Sequence, residues 1–183
     1  MAPDSDAAAR ERFEALVGEV YVPLRRYLRR RTDPTSAEDV LGDVLLVMWR
    51  RRDDIPGEAP VAWCYGVARG CLANSARGAQ RHQRLLGRLA QEVVEPAVSM
   101  PSDDPELDEA LGQLEPADRE LLRLWAWEQL APREIAVVLG ITPNAASIRL
   151  HRATRKLRHR LQERKNDEPG GHLGQRQGTE APR

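Results

Sequence analysis

The sequence has no long apolar segment and very little cysteine. Its longest uninterrupted apolar run, Val44 to Trp49, has six residues, whereas a membrane-spanning helix needs roughly 20. The amino terminus lacks the basic start and apolar stretch of a secretory signal. The two cysteines, Cys64 and Cys71, are too few for a disulfide framework and have no accompanying histidine cluster. We interpret them as core residues, and these absences predict a cytoplasmic protein without membrane insertion or a metal site.

Catalytic signatures and strand patterns are absent as well. There is no paired nucleophile and base and no phosphate-binding loop, and the four histidines are scattered. The sequence therefore predicts neither an enzyme nor a cofactor. No segment alternates between apolar and polar residues for long enough to form a strand, whereas apolar residues recur at helical spacing. We expect an all-α fold.

Charge is balanced overall but segregated along the chain. The formal net charge is zero, and only two of the 28 basic residues are lysine, a bias typical of a GC-rich genome. Residues 59–91 contain five arginines and no acid, residues 98–120 contain eight acids and one arginine, and residues 143–165 contain eight basic residues and one acid. Segregated charge creates local fields that select partners, so the basic segments favour a polyanion such as nucleic acid.

Composition divides the chain into two small helical domains. Residues 10–91 and 106–163 are dense in apolar residues at helical spacing. Between them, residues 92–105 hold three prolines, two serines and several acids, which predicts a flexible linker. The tail, residues 164–183, is predicted to be disordered.

The first domain is predicted to open with two helices. In the first, residues 10–30, Pro23 interrupts the apolar stripe and is expected to kink or divide the helix. The second follows the sequence TSAE at residues 35–38, which matches a capping box between Thr35 and Glu38. The stripe of the first helix comprises Phe13, Leu16, Val17, Val20, Leu24 and Leu28.

Two acids of the second helix, Asp39 and Asp43, lie four positions apart and share one side of it. Acids in the first turns of a helix are also typical of an ordinary solvated surface, because they interact favourably with the helix dipole. The spacing alone favours that interpretation over an acidic docking patch for a basic partner.

A third helix is predicted to begin near residues 59–61. It carries no acid, has Trp63 close to its start and continues into the arginines 69, 77, 81, 84 and 88. Such a helix can hold single-stranded nucleic acid, with bases stacked on the aromatic ring and phosphates along the arginines. The alternative is an ordinary solvated helix whose tryptophan belongs to the core.

The most specific local signal lies around Gly140. A short apolar helix ends at this glycine, which can adopt the left-handed conformation that stops a helix. Thr142 and Pro143 then supply a cap and a first helical residue. The next helix has inward positions Ala146, Leu150, Ala153 and Leu157, and its other positions are polar or basic. This pattern predicts a helix-turn-helix whose second helix can enter the major groove.

Taken together, these motifs resemble the extracytoplasmic-function group of bacterial RNA polymerase sigma factors. AEDVLGDVLLVMWRR resembles region 2.2, PVAWCYGVARGCLANSARGAQRHQR resembles regions 2.3 and 2.4, and residues 107–158 resemble region 4, with EIAVVLG and RLHRA as the most specific parts. The resemblance covers roughly residues 11–160. It implies binding to core RNA polymerase, recognition of promoter DNA and a possible anti-sigma partner.

The resemblance also implies roles for individual residues. Asp39 and Asp43, with Glu38 beside them, would bind a basic coiled coil of the polymerase. The unwound −10 strand would be held by Trp63, Arg69, Asn74, Arg77 and Arg81. The −35 duplex would be contacted by Asn144, Ser147, Arg149, Arg152 and Arg155. Gly42, Gly70 and Asn74 depart from the family pattern, which has Gln, Asn and Asp at those places.

Two other functions are compatible with the same motifs. A stand-alone helix-turn-helix regulator, with a sensing or dimerisation domain in front, would bind duplex DNA tightly without polymerase. A protein that sequesters polymerase or a sigma factor would not need Arg149 and Arg152 at all.

Overall fold

The structure, a computed structural model, describes residues 3–86 and 104–167, and the side chains of residues 7–84 and 104–163. Every regular element within those residues is helical, so the predicted all-α fold is confirmed. None of the described helices is both long and apolar enough to cross a membrane. The elements are α1 (Pro3–Arg29), α2 (Pro34–Arg50), a 3₁₀ turn (Arg52–Asp54), α3 (Pro60–Leu86), α4 (Pro105–Gly112), α5 (Pro116–Ala126), α6 (Pro132–Leu139) and α7 (Pro143–Asp167).

The predicted segment boundaries fall partly outside these elements. Residues 87–103, which include most of the predicted linker, and residues 168–183 of the predicted tail lie outside the described part of the chain. Helix α4 begins at Pro105, the last linker position, and α7 continues to Asp167, four residues into the predicted tail.

Helix α1 buries the predicted stripe against α2 and α3. Val20, Leu24 and Leu28 are fully buried, together with Tyr27, which the stripe did not include. Pro23 lies inside the helix without dividing it, because its ring replaces a single amide donor and the helix continues to Arg29.

Helix α2 starts earlier than the sequence pattern predicted, and the capping box at Thr35 is wrong. Asp33 is the N-cap: its carboxylate accepts hydrogen bonds from the amides of Thr35 and Ser36 at 3.1 and 3.0 Å. Pro34 occupies the first helical position, which favours this earlier start. Glu38 is thereby released from a capping role.

Helices α4 and α5 form the base of the carboxy-terminal half. Leu121, Leu122 and Leu124 are buried, whereas Trp125 is 47% exposed and does not contribute to this base. Trp127 packs against the cluster beneath α7, with the guanidinium of Arg123 over its ring.

The two halves pack against each other rather than standing apart. Helix α6 lies on α3, and one continuous core joins both halves. Leu24, Val44 and Ala68 of the first half share this core with Leu124 and Ile135 of the second. No local sequence pattern indicated this contact.

Candidate nucleic-acid interface

The turn between α6 and α7 has the conformation that the sequence predicted. Gly140 is left-handed, with φ 64° and ψ 38°. The amides of Ile141 and Gly140 donate to the carbonyls of Ala136 and Val137 at 3.0 and 3.4 Å, which is a Schellman motif. Thr142 caps the next helix, since its hydroxyl accepts from the amide of Ala145 at 3.2 Å. The turn therefore fixes the direction in which α7 leaves α6.

Helix α7 separates a packed side from a polar side. Ala146 and Ala153 are fully buried, and Leu150 and Leu157 are half-buried against the core beneath them. The five side chains predicted to contact duplex DNA are all exposed: Asn144, Ser147, Arg149, Arg152 and Arg155. The apolar residues thus anchor α7 on the core, and the basic residues are accessible to a binding partner.

Two polar contacts restrict side chains on this surface. The Ser147 hydroxyl donates to the carbonyl of Pro143 at 3.0 Å. The Lys156 ammonium lies 2.5 Å from the carboxylate of Asp118 on α5. Lys156 is one of the basic residues of α7, and it is paired with an acid 38 positions away in the sequence.

Helix α3 presents the second predicted nucleic-acid surface. Arg69, Asn74, Arg77 and Arg81 are exposed, and Trp63 is half-buried. Arg77 donates to the side-chain carbonyl of Asn74 one turn earlier, which leaves the Asn74 amide group to donate elsewhere. Cys64 is fully buried on the opposite side and belongs to the core, as predicted.

The structure adds Arg51 to this surface. Its guanidinium carbon lies 5.4 Å from the ring centroid of Trp63, and its Nε donates to Asp54 at 2.9 Å. The guanidinium covers one face of the Trp63 ring, and its own outer plane is a surface on which a nucleobase can stack. Sequence analysis missed Arg51 because it follows α2, outside the helix that carries Trp63.

The acids of α2 differ from one another in their surroundings. Asp39 and Asp43 are exposed, and neither forms an ion pair or a hydrogen bond with the described residues. Glu38 accepts from Arg25 Nε and Arg29 Nη2, both at 2.8 Å. These hydrogen bonds lower the pKa of Glu38, which therefore already has two cationic partners within the molecule.

Both halves of the chain match models of known protein regions. Residues 14–82 match Sigma-70 region 2, and residues 105–157 match Sigma-70 region 4. The chain is 35% identical over 164 residues to the RNA polymerase sigma factor CarQ of Myxococcus xanthus, covering 85% of this chain and 92% of that protein. The chain belongs to the RNA polymerase sigma factors. It is also 34% identical over 174 residues to the ECF sigma factor SigL of Mycobacterium tuberculosis, covering 89% of this chain and 97% of SigL.

Solved sigma factors have the same fold. A structure of CnrH in complex with the cytosolic domain of CnrY matches with a TM-score of 0.58 and 25% identity, covering 86% of this chain and 94% of that chain. The sigma factor RpoE of Bartonella quintana, in complex with the anti-sigma factor NepR, matches with a TM-score of 0.62 and 22% identity, covering 83% and 98%. Because both halves of this sigma factor match in order, it directs promoter recognition, and a stand-alone regulator is not favoured.

Proposed function

We propose that α7 binds the −35 duplex through Asn144, Ser147, Arg149, Arg152 and Arg155. The observation that carries this proposal is the division of α7, in which five polar side chains are exposed opposite the buried Ala146 and Ala153. The amino-terminal residues of such a helix contact base edges, and the later arginines contact phosphates.

On α3, the proposal assigns the unwound −10 strand to Trp63, Arg69, Asn74, Arg77 and Arg81, with Arg51 as an addition. The Trp63 ring supplies an aromatic surface for stacking, and the exposed arginines supply charge for the phosphates. When α3 binds bases that have left the duplex, opening is favoured at the promoter sequence that supplies those bases. This process requires no catalytic side chain in the sigma factor itself.

Polymerase docking is assigned to Asp39 and Asp43, whose charges are uncompensated among the described residues. Glu38, the third acid of the predicted group, already has two arginine partners, so we expect it to contribute less. Binding to core polymerase also implies that the protein acts in the cytoplasm.

Transcription with purified bacterial core polymerase tests the function as a whole. The template is a fragment library of the genome that encodes this chain, and the transcripts are sequenced. Transcripts that begin at a shared sequence only when this protein is added support a sigma factor. Tight, sequence-specific duplex binding without polymerase, and no such transcripts, would contradict it.

Single substitutions then separate polymerase docking from duplex binding. Charge reversal at Asp39 and Asp43 should weaken core binding about tenfold, measured by fluorescence anisotropy, whereas Glu58→Lys, a reversal at an exposed acid of the same half outside α2, should leave it unchanged. Arg149→Ala and Arg152→Ala should leave core binding intact and reduce the salt slope of duplex binding by about one each. Unchanged core affinity after both reversals would remove the docking assignment.

A regulatory partner is also part of the proposal. CnrH, at 25% identity, is a sigma factor in complex with a partner domain, and this likeness supports an anti-sigma protein for the present chain. Co-expression with neighbouring genes, followed by co-purification of a protein that inhibits transcription, tests this point.

A further inference from the structure

A cleft of about 530 Å³ lies where the two halves of the chain meet. Its walls come from both halves: Arg69 and Leu72 belong to α3, Arg149 belongs to α7, and the first residues of α5 also line it. Small-molecule sites in proteins have volumes of about 300–1,000 Å³ and combine apolar walls with a few polar groups. We call this space the interdomain cleft, and its size is that of a small-molecule site.

Two exposed arginines of the interdomain cleft are not neutralised within the described part of the molecule. Arg69 and Arg149 come from opposite halves, and neither forms an ion pair or a hydrogen bond with a described residue. The acids of the lining, Asp118 and Glu120, each already have a basic partner. The unpaired charge of the cleft is therefore positive, which favours an anionic ligand.

The amino terminus of α5 opens into the same cleft. Pro116, Ala117 and Asp118 are its first three residues, and all of them line the cleft. The N-cap residue, Glu115, accepts no hydrogen bond through its side chain, so the amides of Ala117 and Asp118 have no acceptor among the described residues. Free amides at the start of a helix, together with the positive end of its dipole, are well suited to bind a phosphate group.

A buried arginine supplies a third donor group. Arg31 lines the cleft, and its side chain is only 7% exposed. Its Nε and Nη1 donate to Glu120 and Glu128 at 3.1 and 3.2 Å, whereas its Nη2 is buried and has no hydrogen-bond partner. A buried donor without an acceptor is unfavourable, and an anion that enters the cleft as far as Arg31 would satisfy it.

The remaining wall of the interdomain cleft is largely aliphatic. Leu121 is 2% exposed, and Leu72, Leu139 and Ile141 are half-buried. A phosphate ion alone would leave these side chains uncovered. A ligand that carries both phosphates and an organic body would place the phosphates at the arginines and α5, and would remove apolar surface from water through its body.

We propose that the interdomain cleft binds a nucleoside polyphosphate, with its phosphates held by Arg69, Arg149 and the amides of α5. Several phosphate charges match several cationic groups, and the base and sugar cover the aliphatic wall. The site exists only while α3 and α7 lie together, so the ligand binds the free chain before promoter DNA does. A further consequence rests on the proposed promoter contacts of Arg69 and Arg149: a ligand that occupies both arginines competes with promoter DNA.

Calorimetric titration of the full-length protein with ATP and with GTP tests the site, in magnesium-free buffer of about 0.15 M salt. Adenosine tests the organic body alone, and inorganic pyrophosphate tests the phosphates alone. The variants Arg69→Ala and Arg149→Ala each remove one proposed contact. Arg84→Ala and Arg158→Ala are the matched controls, because each removes one exposed arginine of the same helix outside the cleft.

We expect ATP or GTP to bind at a single site, and each cleft variant to weaken that binding about tenfold through the loss of a charge-assisted contact. The two control variants should bind as the wild type does. Equal weakening by all four substitutions would show attraction to a basic surface only and would overturn the site, as would the absence of saturable binding by both nucleotides. Pyrophosphate affinity equal to that of the nucleotides would overturn the role of the aliphatic wall.

The substitution Glu115→Asp tests the amino terminus of α5 separately. Aspartate is a preferred N-cap residue, so its carboxylate should accept hydrogen bonds from the free amides while the net charge stays the same. We expect a higher free energy of unfolding in urea together with several-fold weaker nucleotide binding. Unchanged nucleotide affinity in a stabilised variant would overturn the part assigned to α5.

Competition with promoter DNA is measured by anisotropy of a labelled duplex with and without saturating nucleotide. Weaker duplex binding in its presence supports the competition, and unchanged duplex affinity would overturn it. A failure of the promoter assignment gives a different pattern, because it concerns the protein without added ligand. If Arg69→Ala and Arg149→Ala leave promoter-specific transcription unchanged, the promoter contacts are lost, whereas the nucleotide affinities still decide the site.

Discussion

The Lys156 ammonium on α7 lies 2.5 Å from the Asp118 carboxylate on α5, and it is thereby withdrawn from the basic surface of the helix-turn-helix. The substitution Asp118→Asn should free the Lys156 ammonium to bind a phosphate of duplex DNA. Since each neutralised phosphate contributes about 0.9 to the salt slope, the slope of log affinity against log salt should steepen by up to that amount. Titration of a random-sequence duplex at several salt concentrations measures it.

The control for this prediction is the same change in a Lys156→Gln background. There, Asp118→Asn should leave the slope unaltered, because no lysine is released. An equal steepening in both backgrounds would show that Asp118 acts through the general field and not through Lys156.

Replacement by alanine at two glycines should change the free energy of unfolding in opposite directions. Gly70 lies inside α3, and an added Cβ would meet nothing within 4 Å, so Gly70→Ala should raise the free energy of unfolding by about 0.5–1 kcal/mol. Gly140 has equally open surroundings but a φ of 64°, so Gly140→Ala should lower it by about 1 kcal/mol. Urea unfolding of both variants tests the pair, and a loss of stability at Gly70 would contradict the first half.

Close packing between α6 and α7 should make Ala146 intolerant of larger residues. Ala146 is fully buried, and overfilling such a site costs about 1–3 kcal/mol. Ala146→Leu should therefore destabilise the protein, as measured by urea unfolding, and should weaken duplex binding by tilting α7. Ala145→Leu, one position earlier and half-buried, is the control that we expect to be milder.

Helix α2 should contribute to the pH dependence of stability through its N-cap. Hydrogen bonds from Ser36 and its neighbours lower the pKa of Asp33 below its ordinary value of 3.8. A carboxylate with a lowered pKa stabilises the fold above its unfolded pKa, and this contribution is lost as the pH falls through its folded pKa. The wild type should therefore lose part of its thermal stability below about pH 4.

Two substitutions at position 33 separate the charge from the cap. Asparagine caps a helix as well as aspartate does, so Asp33→Asn should keep the cap and show a shallower decline of Tm in acid. Asp33→Ala should lower Tm by a few degrees near neutral pH, and its difference from the wild type should shrink below about pH 4. If Tm declines equally with falling pH in the wild type and in Asp33→Asn, Asp33 does not contribute to the pH dependence of stability.

Local structure was predictable where adjacent residues determine it. Gly140, Thr142 and Pro143 specify a left-handed stop, a cap and a first helical residue within four positions, and all three have these roles in the structure. The capping box at Thr35 failed for a similar reason: Asp33 and Pro34 form a competing start two residues earlier.

Contacts between distant parts of the chain were not predictable. Arg31 and Glu128 are 97 positions apart, and neither has neighbours that signal an ion pair. Gly66 carries no local signal beyond the helix-weakening effect of any glycine, whereas in the structure it allows α6 to approach α3. The DNA-contacting roles of α3 and α7 remain predictions, although the exposure of their arginines agrees with them.

Arg119 connects the beginning of α5 to the end of α4 by three hydrogen bonds, to the carbonyls of Leu111, Gly112 and Leu114 at 2.9, 2.7 and 3.0 Å. One side chain of α5 thus caps the carboxy-terminal end of α4, so the turn between the two helices is held by hydrogen bonds as well as by apolar packing.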